Sequence, residues 1–129
     1  MLVNKTPLKR ISLGTVQFGI SYGIANQGGR VSREEAERIL IKAHAAGINT
    51  LDTASSYGES ENVLGNIGIN DWHVVSKLPP LPKDCLNVAA WVFNNFSKSQ
   101  KLLRQKEIYG LLLHRPLDLL SQNGNSIYN

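Results

Sequence analysis

The stretch that decides the fold runs Val31-Ser32-Arg33-Glu34-Glu35-Ala36-Glu37-Arg38-Ile39-Leu40-Ile41-Lys42-Ala43-His44-Ala45-Ala46-Gly47-Ile48-Asn49-Thr50-Leu51-Asp52. Ser32 is a good N-cap, and Glu35 three residues later completes a capping box. Ala36, Ile39, Leu40 and Ala43 recur at helical spacing and make one apolar stripe. Gly47 stands where a helix stops, and Ile48 to Asp52 reads as a strand. A helix passing through a single glycine turn into a short apolar strand is half of a βαβ unit.

The pattern repeats on both sides. Ile11 to Thr15 reads as a strand ahead of this helix, with a long loop from Phe18 to Arg30 between them. After Asp52, a loop through Tyr57-Gly58 leads to a short helix that Ser60 can cap and that carries Val63, Leu64 and Ile67. Trp72 to Lys77 is a third strand. Prolines 79, 80 and 82 break any helix there. Asp84 is read as the cap of a third helix, with a stripe of Leu86, Ala89, Ala90 and Phe93. Ile108 to Leu113 is nearly all apolar, which predicts a strand buried on both faces. Four strands alternating with three helices imply a parallel sheet with right-handed crossovers. Such a sheet belongs to an open doubly wound fold or to part of a (β/α)8 barrel.

The bulk numbers exclude several classes. The chain has 129 residues, 42% of them hydrophobic and 19% charged, a balance suited to a packed core rather than a disordered segment. The net charge is +4. Its densest basic stretch, Lys98, Lys101, Arg104 and Lys106, falls near a helix end, where cations suit the helix dipole. It is read as a solvated helix end and not as a nucleic-acid surface. Cys85 is the one cysteine, so no intrachain disulfide is expected and a reducing, cytoplasmic setting fits. Cys85 is expected just inside the start of the third helix, as a structural residue. No apolar run reaches transmembrane length. Asn4, Lys5, Lys9 and Arg10 at the start of the chain do not resemble a secretory signal.

The polar residues choose between the two parallel folds. Asp52, Lys77 and His114 each sit at, or one step past, the C-terminal end of a predicted strand, and Tyr57 lies in the loop after the second. In a barrel those positions converge on the face where chemistry is done. A free phenol, with a pKa near ~10, is a poor acid at neutral pH, but a neighbouring ammonium favours its ionised form. Lys77 can supply that charge, Asp52 can orient Lys77, and His114 can donate a hydrogen bond to a substrate oxygen. Such a set protonates an oxygen on which negative charge develops. Each residue alone has a plainer reading: a turn aspartate, a packed tyrosine, a lysine reaching out at a strand end, a structural histidine. Their joint placement favours the chemical one. His44 and His73 have no metal-ligand spacing around them, and no metal site is expected. Gln27-Gly28-Gly29-Arg30 lacks a phosphate-loop pattern and is read as a turn.

These residues resemble the aldo-keto reductase family. The matching stretches are Leu13-Gly14-Thr15-Val16-Gln17-Phe18-Gly19, Gly47-Ile48-Asn49-Thr50-Leu51-Asp52-Thr53-Ala54, Ser56-Tyr57-Gly58-Glu59-Ser60-Glu61, Val75-Ser76-Lys77 and Leu111-Leu112-Leu113-His114-Arg115-Pro116. The resemblance implies that Tyr57 is the general acid, that Lys77 and Asp52 tune it, and that His114 orients the carbonyl. It places Gly14, Thr15, Val16 and Asp52 on the cofactor side, and Gln17 and Tyr22 toward the substrate. The implied activity is hydride transfer between NADPH, or NADH, and an aldehyde or ketone, sugar-derived carbonyls included. Many members carry a tryptophan where this chain has Val16, so one pocket wall differs. The family barrel needs eight strands and about 250 residues. Residues 1–129 are therefore expected to form one partial domain, β1 to β4, inactive alone and prone to self-association through its open edges. Two other readings compete: a non-catalytic remnant or binding module that associates through the open half barrel, and an aldolase-type enzyme in which Lys77 forms an imine. The match around Tyr57 and His114 disfavours the imine.

Overall fold

In a computed structural model of the chain, residues 10–128 are described. The segment holding Asn4, Lys5 and Lys9 lies outside them. Four strands, β1 (Ser12–Gly14), β2 (Thr50–Asp52), β3 (His73–Leu78) and β4 (Gly110–Leu113), form one sheet in the order β1-β2-β3-β4. All three pairings are parallel, with Gly14 beside Asp52, Asp52 beside Val75, and Lys77 beside Leu112. Three longer helices follow the first three strands: α2 (Arg33–Ala45), α3 (Ser60–Ile67) and α4 (Val88–Leu103). A short helix, α1 (Val16–Gly19), leaves β1 directly. A 3-10 segment, Pro116–Leu120, and a last helix, α5 (Gly124–Tyr128), follow β4.

The helix that decided the fold is built as its sequence implies, with one difference. Ser32 accepts from the Glu35 amide at its N-terminus. The Glu35 carboxylate turns instead to Arg38, so the capping box is half made. At the other end Gly47 adopts φ +91°. Ile48 N–H donates to the Ala43 carbonyl and Gly47 N–H to that of His44, which satisfies two end carbonyls and turns the chain into β2. The core forms between the sheet and α1 to α4, where Phe18, Leu40, Leu51, Leu64, Ile69, Val74 and Leu103 are buried together. Gly65 is where α3 meets the end of α4: an added Cβ would stand 2.0 Å from the Leu102 carbonyl oxygen. Gly65→Ala should therefore cost about 1–3 kcal/mol or more, read as a fall in the urea midpoint with an unchanged slope.

Four expectations need correction. Helix α1 covers Val16–Gly19 and so takes in the start of the predicted loop, burying Phe18. Ser60 is the first helical residue of α3 and not its cap, since its hydroxyl is drawn into the interior. The third helix starts at Val88, capped by Asn87, whose side chain accepts from the Ala90 amide. Asp84 and Cys85 precede it. Leu86 is fully exposed and Phe93 largely so, and the buried face runs instead through Val88, Ser99 and Leu103. Finally, β4 is not covered on both faces. Leu111 is 37% and Leu112 50% exposed, because β4 is an edge of this sheet. Outside it lies an apolar groove of about 530 Å³ lined by Leu78, Val92, Leu111, Leu113, Leu119 and Ile127.

Gln27 to Arg30 forms a turn, and His44 and His73 pack against aromatic rings. Asn26 closes the Gly28-Gly29 turn, bonding the Gly28 amide and the Gly29 carbonyl. His44 meets Trp72 edge to face with ring centroids 5.3 Å apart, and His73 stacks on Tyr109 at 4.5 Å. No group of three or more potential metal ligands occurs among the described residues, and no helix there is long and apolar enough to cross a membrane.

Candidate active site

Side chains alternate along β3, so Ser76 faces the helices while Val75 and Lys77 face the inner side of the sheet. Asp52 ends β2 on that same inner side, and His114 follows β4 by one residue. Tyr57 reaches them from the β2–α3 loop, which is folded tightly: Tyr57 N–H donates to the Ala54 carbonyl, and Ser60 N–H to that of Tyr57. Glycine is required at the back of this loop. A Cβ on Gly19 would lie 1.6 Å from the Tyr57 carbonyl oxygen, so α1 can press against the loop only without a side chain there.

The Lys77 ammonium gathers the site. It forms an ion pair with the Asp52 carboxylate, donates to the Thr53 carbonyl oxygen at 2.9 Å, and stands 3.5 Å from the Tyr57 hydroxyl. An ammonium has three protons to donate, and these acceptors come from the end of β2 and the loop that follows. The Lys77 side chain is 15% exposed and that of Asp52 36%. The pair is thus partly shielded from water, and its charges act more strongly than on an open surface. The His114 ring stands nearly perpendicular to that of Tyr57, with centroids 6.0 Å apart. Phenol, ammonium, carboxylate and imidazole come from four separate segments and meet at the C-terminal edge of the sheet.

The other expected site residues are placed differently. Gly14 ends β1 beside Asp52, and a Cβ there would meet nothing within 4 Å, so open space lies next to the tetrad. Val16 is half-buried at the start of α1. Thr15 is fully buried, and its hydroxyl donates to the Asp52 carbonyl, so its side chain straps β1 to β2. Gln17 donates to the Tyr22 carbonyl. The two are exposed and linked to each other, with no hydrogen bond to the tetrad. Sequence reasoning missed the Thr53 carbonyl, because a backbone acceptor leaves no mark in residue type. It also gave no interior role to Ser60 and Glu61, although both stand in the stretch quoted around Tyr57.

A half barrel of parallel βα units with a Tyr-Lys-Asp-His cluster on its C-terminal edge defines a class of protein. The model of the aldo/keto reductase family matches residues 10–120, and the chain belongs to that family. Among solved structures, a Pseudomonas aeruginosa protein assigned as an aldo-keto reductase is 31% identical with a TM-score of 0.72, over 91% of this chain and 48% of that one. An aldo/keto reductase from Klebsiella pneumoniae, in complex with NADP and acetate, shares the fold at 22% identity and TM-score 0.60, over 84% of this chain and 36% of that one. A Klebsiella pneumoniae aldo-keto reductase in complex with NADPH gives 22% and 0.63, over 90% and 38%. No curated protein matches the chain. The chain spans about half the length, or less, of these solved relatives.

Proposed function

We propose that this span is the catalytic half of an NADPH-dependent reductase of aldehydes or ketones, and that it needs a second half barrel to turn over. The observation that carries the reading is the Lys77 ammonium holding the Asp52 carboxylate while standing 3.5 Å from the Tyr57 hydroxyl. Tyr57 gives its proton to the carbonyl oxygen of the substrate. The ammonium stabilises the phenolate left behind, and solvent later returns the proton. Asp52 and the Thr53 carbonyl fix where that positive charge sits. His114 donates a hydrogen bond to the same substrate oxygen, so negative charge developing there meets donors already in position. A bound nicotinamide supplies the hydride. Gly14, Val16 and Asp52 stand on the cofactor side of this reading, with open space beside Gly14. Gln17 and Tyr22 are the substrate-side candidates. The single cysteine, half-buried Cys85, supports a reducing, cytoplasmic setting.

Two features argue that residues 1–129 alone are inactive. Most residues that would hold the nucleotide belong, by resemblance, to later strands, and positioning of the reactants accounts for about 7–11 kcal/mol of such barriers. Among the described residues the outer edges of β1 and β4 are also unpaired, and Leu111 and Leu112 lie exposed on one of them. Open edges of that kind favour self-association. The test is the purified 129-residue protein with NADPH and a panel of aldehydes, beside its mass in solution. The expected result is no efficient NADPH consumption and a mass above the monomer. A monomer with ordinary reductase turnover would overturn the need for a second half. A barrel completed from this span that neither binds NADPH nor reduces any carbonyl in the panel would overturn the reductase itself.

A further inference from the structure

Ser60 and Glu61 are consecutive residues at the start of α3, both are buried, and both spend their polar atoms on other elements. Ser60 Oγ donates toward Thr15, with the carbonyl oxygen and Oγ1 each at 2.9 Å. Thr53 Oγ1 lies 3.1 Å from Ser60 Oγ, and Thr15 Oγ1 donates to the Asp52 carbonyl at 2.9 Å. The hydroxyls of Thr53, Ser60 and Thr15 thus make a buried chain that ends on the backbone of Asp52. On its other side, Glu61 accepts from Ser76 Oγ at 2.6 Å and from Ser99 Oγ at 3.2 Å. Ser76 is the residue before Lys77 on β3, and Ser99 is on α4.

Among the described residues Glu61 is the one charged side chain that is fully buried, at 1% exposure. Among the described residues no cation meets either of its oxygens, and its partners there are two neutral hydroxyls. Burying a carboxylate costs stability that an apolar side chain of similar size would not lose. Its hydrogen bonds tie α3 to β3 and α4. The geometry at stake is plain from the connections. The first turn of α3 begins three residues after Tyr57, whose carbonyl accepts from the Ser60 amide. It grips the ends of β1 and β2 through Ser60, and β3 through Glu61. The Lys77–Asp52 pair spans two of those strands, β2 and β3.

We propose that Ser60 and Glu61 are positioning residues that set the height of β3 against the Tyr57 loop, and so hold the Lys77 ammonium at the Tyr57 hydroxyl. The chemical meaning of that contact rests on the reductase reading, but the test needs neither cofactor nor turnover. Ser76→Ala and Ser99→Ala each remove one hydroxyl from the same carboxylate, so a purely structural role predicts similar losses of thermal stability and similar effects at the site. The positioning role predicts a split. In NMR spectra of the 129-residue chain, hydrogen exchange at Lys77 Nζ should quicken about tenfold in Ser76→Ala, the scale of one lost hydrogen bond. The ring-to-ring contact between Tyr57 and His114 should weaken with it. Both signals should stay as in the parent in Ser99→Ala. Glu61→Gln, which can still bond both hydroxyls, should keep the parent signature, and it serves if Ser76→Ala fails to fold. Equal responses of the two serine variants, or loss of the signature in a folded Glu61→Gln, would overturn the inference. Absence of reductase activity would count against the reading of the site and leave these signals unaffected.

Discussion

Tyr57→Phe should lower carbonyl reduction by about 10²–10⁴-fold in a barrel completed from this span, the range that one positioned proton donor contributes. The substitution removes one oxygen and keeps the ring, so its edge-on approach to His114 survives. Lys77 retains the Asp52 carboxylate and the Thr53 carbonyl as acceptors. The nicotinamide, held by other groups, should therefore bind as in the parent. The loss belongs in kcat with little change in cofactor affinity, because the proton is transferred only as the reaction proceeds. Steady-state kinetics beside a fluorescence titration of NADPH would check it. Turnover close to the parent value would mean that another residue is the acid and that the cluster around Lys77 serves some other purpose.

Gly19→Ala should act on stability and on the site together. The new methyl carbon would stand 1.6 Å from the Tyr57 carbonyl oxygen and 2.6 Å from the Ser60 amide nitrogen. Both are backbone atoms at the head of α3 and cannot rotate aside, so either α1 or the Tyr57 loop must move. Overpacking of a rigid contact costs about 1–3 kcal/mol, and the figure here belongs at or above the upper end. The displaced loop carries the phenol, so the Tyr57–His114 ring contact should be lost even where the protein still folds. Chemical denaturation and the ring-to-ring NMR contact read the two effects separately. A variant as stable as the parent, with that contact intact, would show that α1 does not bear on the loop.

The sequence by itself determined the alternation of parallel strands with helices and the strand-end positions of Asp52, Lys77 and His114. Local rules govern both: an apolar stripe at helical spacing that passes through Gly47 into an apolar strand marks a βα repeat, and strand ends fall where the apolar runs stop. Local rules also cover Gly47, where the backbone turns at positive φ. Tertiary structure alone decided what those rules do not reach. Helix α4 is capped by Asn87 rather than Asp84, because both can cap and the choice depends on which face meets α3 through Leu103 and Ser99. Ser60 reads as a cap by its type, yet its hydroxyl turns inward because the end of β1 lies within 2.9 Å. Glu61 reads as a surface charge until Ser76 and Ser99, 15 and 38 residues further along, arrive to bond it. The apolar run of β4 announces a buried strand, but burial depends on neighbours, and within this sheet β4 has one on a single side. Hydrogen bonds and packing between distant segments leave no periodic trace, so they become visible only when the chain is folded.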